Sequence, residues 1–463
     1  MNQNFCSQLE SQLTELDQQI EGSLLFSSDP GFKQVKKVWN IAAEPTTCLI
    51  VRPKHAQDIV EVLDFAKRHR LPIAIRSGWH NSFVEYNTEN QAIFIDLSDV
   101  NHIDVDAQSR IAHIGPGNIW GDVADALQPH KLAIPSGDTA SVGVGGLAQG
   151  SGIGYLSRKY GLTIDALRSV EMVTSDGLIR RASKEENPDL FWGVRGGAGN
   201  FGIITDFEFD LFDGGEVLGG ALYYEGMKTQ EFMKIVELAD KAPDELIVFV
   251  DMMTAPPFPF LPSKYHHQPM ISATFCYTGN IDKGEAVIAP FREIGNIILD
   301  QVKPQPYKDL LLNLPEGVGF YGRNMYMETL DEQKAKTFVR EINQDPTSNL
   351  SIQTRVLGGA ISRVPKNYTA FSHRNKPYLV IITNFFTSME EVDKNHAYNE
   401  NVWKRLKKYA AGADVNFMGI GENGRLKDVY SEENLNRLSE LKKRYDPENI
   451  FHNNLNLLPD TES

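Results

Sequence analysis

Cysteine is scarce in this chain: Cys6, Cys48 and Cys276 are the three in 463 residues. An odd count with no CxxC spacing points to neither a zinc cluster nor a disulfide framework, and a reducing, cytoplasmic setting is the simplest expectation. Long apolar runs are missing too, with no stretch near the roughly 18 residues that a membrane-spanning helix needs. The N-terminus has no basic region ahead of an apolar core. Phe5, Leu9, Leu13, Leu16 and Ile20 instead recur at helical spacing, which predicts an amphipathic helix packed on the body. Blocks of positive charge are absent: Lys and Arg number 46 against 61 Asp and Glu, a net charge of −15. Duplex nucleic acid and anionic membranes are not expected as general partners, although a local site for a phosphate group is compatible with this balance. His266-His267 has no further ligand at metal-binding spacing, so no metal centre is expected and the pair reads as a solvated loop. Internal repeats and low-complexity segments are lacking.

What is present has the composition of a globular protein, 41% hydrophobic and 23% charged, with length for roughly two to three domains. Thr47–Val51 reads as a strand, Gln57–Arg70 as a helix with Ile59, Leu63 and Ala66 on one face, and Pro72 to Arg76 as a second strand. This is a β-α-β unit, and the polar loop at its carboxyl end is where such units bind ligands. The loop is Arg76, Ser77, Gly78, Trp79, His80, Asn81 and Ser82. Its successive N–H groups, hydroxyls and guanidinium suit an anion such as phosphate; a plain surface turn is the alternative. Ala92–Leu97 alternates as a strand, Ile103–Val105 and Ile111–Ile114 read as a hairpin, and Ile119–Leu127 as a helix.

Glycine is concentrated rather than spread. Seven of the twenty residues from Pro135 to Gly154 are glycine, which permits close backbone approach to a ligand. A flexible linker would be polar, whereas Val142, Val144, Leu147 and Ile153 are interleaved here. Val170–Thr174 and Leu178–Arg181 flank the hairpin turn Ser175-Asp176-Gly177. Gly197, Gly199 and Gly202 match G-x-G-x-x-G, but Ile203–Phe209 reads as a strand where a dinucleotide fingerprint needs a helix, so the nicotinamide reading is rejected. Beyond about Gly215, strand-like runs (Glu245–Asp251, Met270–Phe275, Leu357–Val364, Tyr378–Thr383) alternate with helical ones (Thr229–Lys241, Asp331–Asn343). That texture predicts an α+β lobe, an antiparallel sheet covered by helices.

Together these stretches resemble the berberine-bridge-enzyme-like flavoproteins of the vanillyl-alcohol-oxidase type, and their bacterial branch in particular. The resemblance is carried by Arg76–Ser82, Pro135–Gly154, Phe191–Phe209, Leu357–Arg374 and Arg444–Phe451 with its asparagine-rich sequel, in the family's order. It implies a two-lobed α+β fold with a discontinuous FAD-binding domain, residues 1–212 returning at 417–463, around a substrate domain at 213–416. It implies FAD bonded through His80, with Trp79 standing where the family usually has a second glycine. Many members add a second link from a cysteine; Thr139 stands there, so His80 would be the single anchor. Gly137, Ser141, Val142, Gly145, Gly146, Gly150, Gly152 and Gly154 would line the cofactor, with Ile203 at its ring or adenine end and Asn454 and Asn456 reaching it from the tail. Val142 occupies the position that governs oxygen access, and its size favours an oxidase delivering electrons to O2.

A Tyr-x-Asn common in the family reads Asp414-Val415-Asn416 here. Asp414 is then the candidate base, with Asn416 beside it and Tyr321, Tyr326 and Arg323 as candidate pocket residues. The expected reaction takes a hydride from an alcohol or amine-type carbon of a small molecule, giving H2O2. The alternatives are a dehydrogenase with another acceptor and a flavin-containing binding protein with little turnover. Spacing speaks to neither substrate identity nor oligomeric state.

Overall fold

The computed structural model describes residues 10–36, 39–40, 47, 49–78, 80, 92–314, 317–345, 349–419, 422–452 and 455–458. Cys6, Cys48, Phe5, Leu9, Trp79, Asn81, Ser82 and Asn454 lie outside the described residues.

The N-terminal sheet is built from β1 (Ser23–Phe26), β2 (Leu49–Arg52), β3 (Ile73–Arg76) and β4 (Ile93–Asp96) in the order β1-β2-β4-β3. β2 and β3 both run parallel to β4, and β1 closes the edge antiparallel. The crossover between β2 and β3 is the helix Ala56–His69, which buries Ile59, Val62, Leu63, Phe65 and Ala66. It stops where Arg70 turns left-handed and its N–H caps the Ala66 and Lys67 carbonyls. Leu13 and Leu16 of the helix Glu10–Gln19 join this core.

An antiparallel sheet follows, from β5 (Ile103–Asp106), β6 (Ile111–Ile114), β8 (Leu167–Val173), β9 (Ile179–Ser183) and β10 (Ile203–Asp210), ordered β5-β6-β10-β8-β9. A two-stranded ribbon pairs β7 (Leu132–Ala133) with β11 (Phe212–Asp213). The turn after β5 is tied by Asp106, whose carboxylate accepts from the Gln108 and Ser109 N–H groups at 3.0 Å. Trp120, Phe207 and Phe209 share one core with Leu438, Leu441, Leu455 and Leu457, so the end of the chain packs into the lobe that its beginning forms. Lys442, fully buried, fixes that return: its ammonium donates to Asp446 and to the carbonyls of Asn200 and Phe451.

The second lobe holds one large sheet of β12 (Glu216–Glu225), β13 (Leu246–Thr254), β14 (Pro269–Tyr277), β15 (Ile297–Asp300), β16 (Lys303–Pro306), β17 (Gly319–Met327), β18 (Leu350–Val356) and β19 (Tyr378–Phe386). The order is β15-β12-β14-β13-β18-β19-β17, with β16 also on β12, and every pairing is antiparallel. Alternation along the strands divides its two faces. Leu246, Val248, Val250 and Met252 of β13 and Leu350, Ile352 and Val356 of β18 pack under the helices Thr229–Asp240, Ile281–Arg292, Glu332–Gln344 and Val392–Leu406. The intervening residues face the first lobe.

Two sequence expectations are corrected here. Leu357–Val364 is not a strand: β18 ends at Val356, Gly358 and Gly359 take positive φ (101° and 56°), and Ala360–Arg363 is a helical turn. A Cβ on Gly359 would lie 2.2 Å from the Arg158 carbonyl, so the chain must turn where strand propensity would continue it. His266 is not merely solvated; its Nε2 lies 3.0 Å from the Leu261 carbonyl and 3.2 Å from that of Phe258, which holds the proline-rich loop. G-x-G-x-x-G does lead into a strand, β10, as expected.

Candidate active site

A cavity of about 390 Å³ opens between the lobes. Its first wall begins at the end of β3. Arg76 is there but is not free to bind an anion: buried, its Nε and Nη2 donate to Asp96 at 3.2 and 2.5 Å, and it also donates to the Val35 carbonyl. Ser77 is likewise committed. Its hydroxyl donates to the Pro116 carbonyl at 2.6 Å and accepts from the Gly145 N–H at 2.9 Å. This stitch brings the β3 loop onto the glycine-rich run. Gly78 and Gly143 meet there so closely that a Cβ on either would lie 2.4 Å from the other's Cα. Gly143 escaped the sequence reading because glycine density does not say which glycine sits at a crossing.

His80 lines the same wall. Its Nε2 is 2.6 Å from the Ser141 hydroxyl, and its ring stacks on Trp39 at 4.8 Å between centroids. Desolvation by burial takes the imidazole down to about 4, against a smaller opposing pull from the Asp138 charge. The ring is therefore neutral at physiological pH. In the tautomer whose Nε2–H donates to the Ser141 hydroxyl, the Nδ1 lone pair is the nucleophilic position.

Gly137, Thr139, Val142, Gly145 and Gly146 line the cavity, as does Ile203 at the start of β10. Gly150, Gly152 and Gly154 do not. A Cβ on each would collide with protein, at 1.7 Å from Asn416 Oδ1, 2.0 Å from Thr163 Oγ1 and 2.0 Å from the Ser136 carbonyl, so they serve close packing behind the wall. Asn416 reaches the cavity, its amide donating to the Leu147 carbonyl at 3.1 Å. Asn456 does not: its side chain closes on Leu458 within the tail.

The expected catalytic carboxylate sits elsewhere than the cavity wall. Asp414 is buried, accepts from the Tyr326 hydroxyl at 2.6 Å and the Asn416 N–H at 2.8 Å, and caps the turn Val415–Phe417. Tyr321 is also withdrawn, stacked between Phe386 and His396. Arg323 pairs with Glu400 and Glu422.

The second wall is the open face of the large sheet, and it carries the residues that sequence reading missed. Asp251 of β13 lies opposite Gln353 of β18 in register. Ser351, Gln353 and Arg355 share that face of β18, and Ile381, Thr383 and Phe385 that of β19. Arg355 donates to Asp138 at 2.6 Å, to the Ile153 carbonyl at 2.9 Å and to Gln353 at 2.8 Å. Gln353 in turn donates to both Asp251 oxygens, at 3.1 and 3.2 Å. Burial is the largest influence on Asp251 and raises its carboxyl to about 6.

A planar, phosphate-bearing cofactor fits what is present. A Cβ on Gly146 would meet nothing within 4 Å, so its missing side chain leaves open cavity beside backbone N–H groups. The buried Trp39 indole N–H has no partner among the described residues. Among those residues no group of three or more His, Cys, Asp or Glu could hold a metal ion, and no helix is long and apolar enough to cross a membrane.

Comparison with known proteins agrees with this arrangement. Residues 48–183 match the family model for an FAD binding domain, and residues 415–457 the model described as berberine and berberine like. The two matched regions are those of berberine-bridge-enzyme-like FAD-linked oxidoreductases, which this chain resembles. More particularly, it is similar over 457 residues, 28% identical, to an FAD-linked oxidoreductase of Dictyostelium discoideum, covering 96% of this chain and 97% of that protein. It is 28% identical to (R)-6-hydroxynicotine oxidase of Paenarthrobacter nicotinovorans, over 95% of this chain and 97% of the other. Its fold matches the xylooligosaccharide oxidase of Myceliophthora thermophila C1, solved with xylobiose, at a TM-score of 0.84 and 20% identity, covering 98% and 99% of the two chains. The protein is an FAD-dependent oxidoreductase.

Proposed function

We propose that this enzyme is an oxidase whose FAD is bonded through His80 alone, and which oxidises an alcohol or amine-type carbon of a small molecule with O2 as acceptor. The observation that carries the reading is the state of His80: neutral, stacked on Trp39 and held by Ser141 at the cavity wall, with one ring nitrogen left to act as nucleophile. Thr139, at the facing loop, has no thiol and offers no second attachment.

When bound, FAD supplies a two-electron acceptor for a hydride from a substrate C–H. The chain's own groups do the rest. Gly137, Gly145 and Gly146 present backbone to the cofactor, with Ser77 and Gly78 holding the two loops together. Asn416, presented by the turn that Asp414 caps, contributes a polar group to the cavity wall. Val142 leaves room for O2. The division at 212/213 and 416/417 into cofactor and substrate domains is part of the same reading, and so is a cytoplasmic setting, which rests on the low cysteine content.

The test is acid precipitation of the purified protein. A yellow pellet from the native chain and a colourless one from His80→Ala support the single link; a yellow His80→Ala pellet overturns it. Anaerobic mixing with (R)-6-hydroxynicotine or xylobiose, followed by air, separates the acceptors. Rapid return of the flavin colour with peroxide supports the oxidase, and slower return in Val142→Leu supports the role of that residue. A flavin that bleaches but stays bleached in air makes the enzyme a dehydrogenase.

A further inference from the structure

The geometry points to Asp251 as the group that takes the proton from the substrate hydroxyl or amine, with Gln353 and Ser351 as positioning residues that aim it. This rests on the oxidase reading above and names the base that reading lacks.

The argument begins with the row of side chains on the open face of the sheet. Asp251 and Gln353 are register partners on adjacent strands, so their side chains stand side by side on one face. That face is a cavity wall, and both residues line it. Gln353 holds the two carboxylate oxygens through one amide nitrogen, and the Ser351 hydroxyl lies 3.4 Å from Oδ1. These are neutral donors. Arg355, the cation whose charge acts on Asp251, is spent on Asp138, Ile153 and Gln353. A carboxylate whose donors among the described residues are all neutral, and which opens onto a cavity, keeps lone-pair capacity for an incoming O–H or N–H.

Other carboxylates near the cavity are committed. Asp138 is paired with Arg355, Asp96 with Arg76, and Asp414 is locked under the wall by Tyr326 and Asn416. The charged or titratable groups that face Asp251 from neighbouring elements are Arg355 on β18, Asp138 on the glycine-rich loop, Tyr155 beyond it and Tyr223 on β12. Arg355 favours the ionised form, and Asp138 and burial oppose it. The balance leaves the carboxyl at about 6, so it is ionised, and a competent acceptor, above that pH.

The step balances. The substrate O–H or N–H bond breaks and an O–H bond forms on Asp251, while the C–H pair leaves as hydride to the bound cofactor. The substrate loses two electrons and two protons and becomes a carbonyl or imine. Return of the proton from Asp251 to the acceptor or solvent completes the cycle.

The experiment uses the flavin-loaded enzyme and has one readout that needs no substrate. Flavin absorbance is followed between about pH 4.5 and 8, where a nearby carboxyl changing charge perturbs the ring. The native enzyme shows a transition with its midpoint near 6, Asp251→Asn lacks it, and Asp251→Glu restores one at a shifted midpoint. A native enzyme without the transition, or an Asn variant that keeps it, overturns the assignment. If Asp251→Asn does not fold, the displaced midpoint of Asp251→Glu decides alone: no displacement sinks the proposal. With whichever of (R)-6-hydroxynicotine and xylobiose bleaches the flavin, anaerobic bleaching slows by about 100-fold or more in Asp251→Asn, with little change in the half-saturating concentration. Gln353→Leu flattens or displaces the pH profile while the flavin content stays native. If the native protein holds no flavin, the oxidase reading itself has failed, an outcome distinct from a yellow enzyme without the transition.

Discussion

Arg355 and Asp138, 217 residues apart in the chain, are joined by a 2.6 Å hydrogen bond between guanidinium and carboxylate across the cavity floor. The guanidinium carbon also lies over the Phe249 and Phe417 rings, 4.3 and 4.7 Å from their centroids. One arginine thus ties the sheet of the second lobe to the glycine-rich loop of the first and sets the spacing of the two walls. Arg355→Ala leaves the Asp138 charge buried without a counter-charge, and a loss of about 3–5 kcal/mol is expected. Chemical denaturation of Arg355→Ala, Asp138→Asn and the double variant checks this: the double variant should lose less than the sum of the single ones.

His80 makes the stability of the flavin-free protein depend on pH. Its folded pKa, about 4, lies below the usual 6.5, so between those values the unfolded chain binds the extra proton. The contribution is fully present above 6.5 and is lost as pH falls toward 4, at no more than about 1.4 kcal/mol per pH unit. Urea midpoints of protein made under riboflavin limitation should fall less on acidification in His80→Gln than in the native chain.

Two neighbouring glycines should behave differently. Gly143→Ala drives a Cβ into Gly78 and forces the two loops apart, so a destabilisation of about 1–3 kcal/mol is expected together with lost flavin. Gly146→Ala points into open cavity, so the melting temperature of the flavin-free protein should be unchanged while flavin content drops. The ratio of flavin to protein absorbance and thermal melts of both variants separate the two effects.

Lys442 is the buried peg of the C-terminal return. Lys442→Met removes its hydrogen bonds to Asn200 and Phe451 and strands the Asp446 carboxylate. A loss of about 3–5 kcal/mol is expected. Limited proteolysis should then cut first in the last twenty or so residues, since the tail loses its anchor before the sheets do.

The β3 loop and the run from Pro135 to Gly154 were legible because glycine density and a strand–polar-loop transition are local properties. Individual roles within them were not. Arg76 looks like an anion ligand until β4 places Asp96 beside it in parallel register. Gly150, Gly152 and Gly154 look like cradle residues until Asn416, Thr163 and Ser136 arrive from other segments to fill the space. Asp414 reads as a base by its place in a motif, yet Tyr326 and Asn324 turn it into a buried cap. Asp251 was passed over because it stands in the sequence only as the last residue of the strand-like run Glu245–Asp251, with no motif around it.

The amino-acid order by itself determined the α+β texture, through periodicity and glycine content, while the two-lobed plan, the flavin class and the histidine to watch came from the resemblance of its ordered motifs to a known family. The tertiary structure alone decided which polar groups are free. Whether a carboxylate is a catalyst or a strut depends on the partners that packing brings within 3 Å or so. Asp414 and Arg76 find theirs on other segments, while Asp251 keeps an open side toward the cavity.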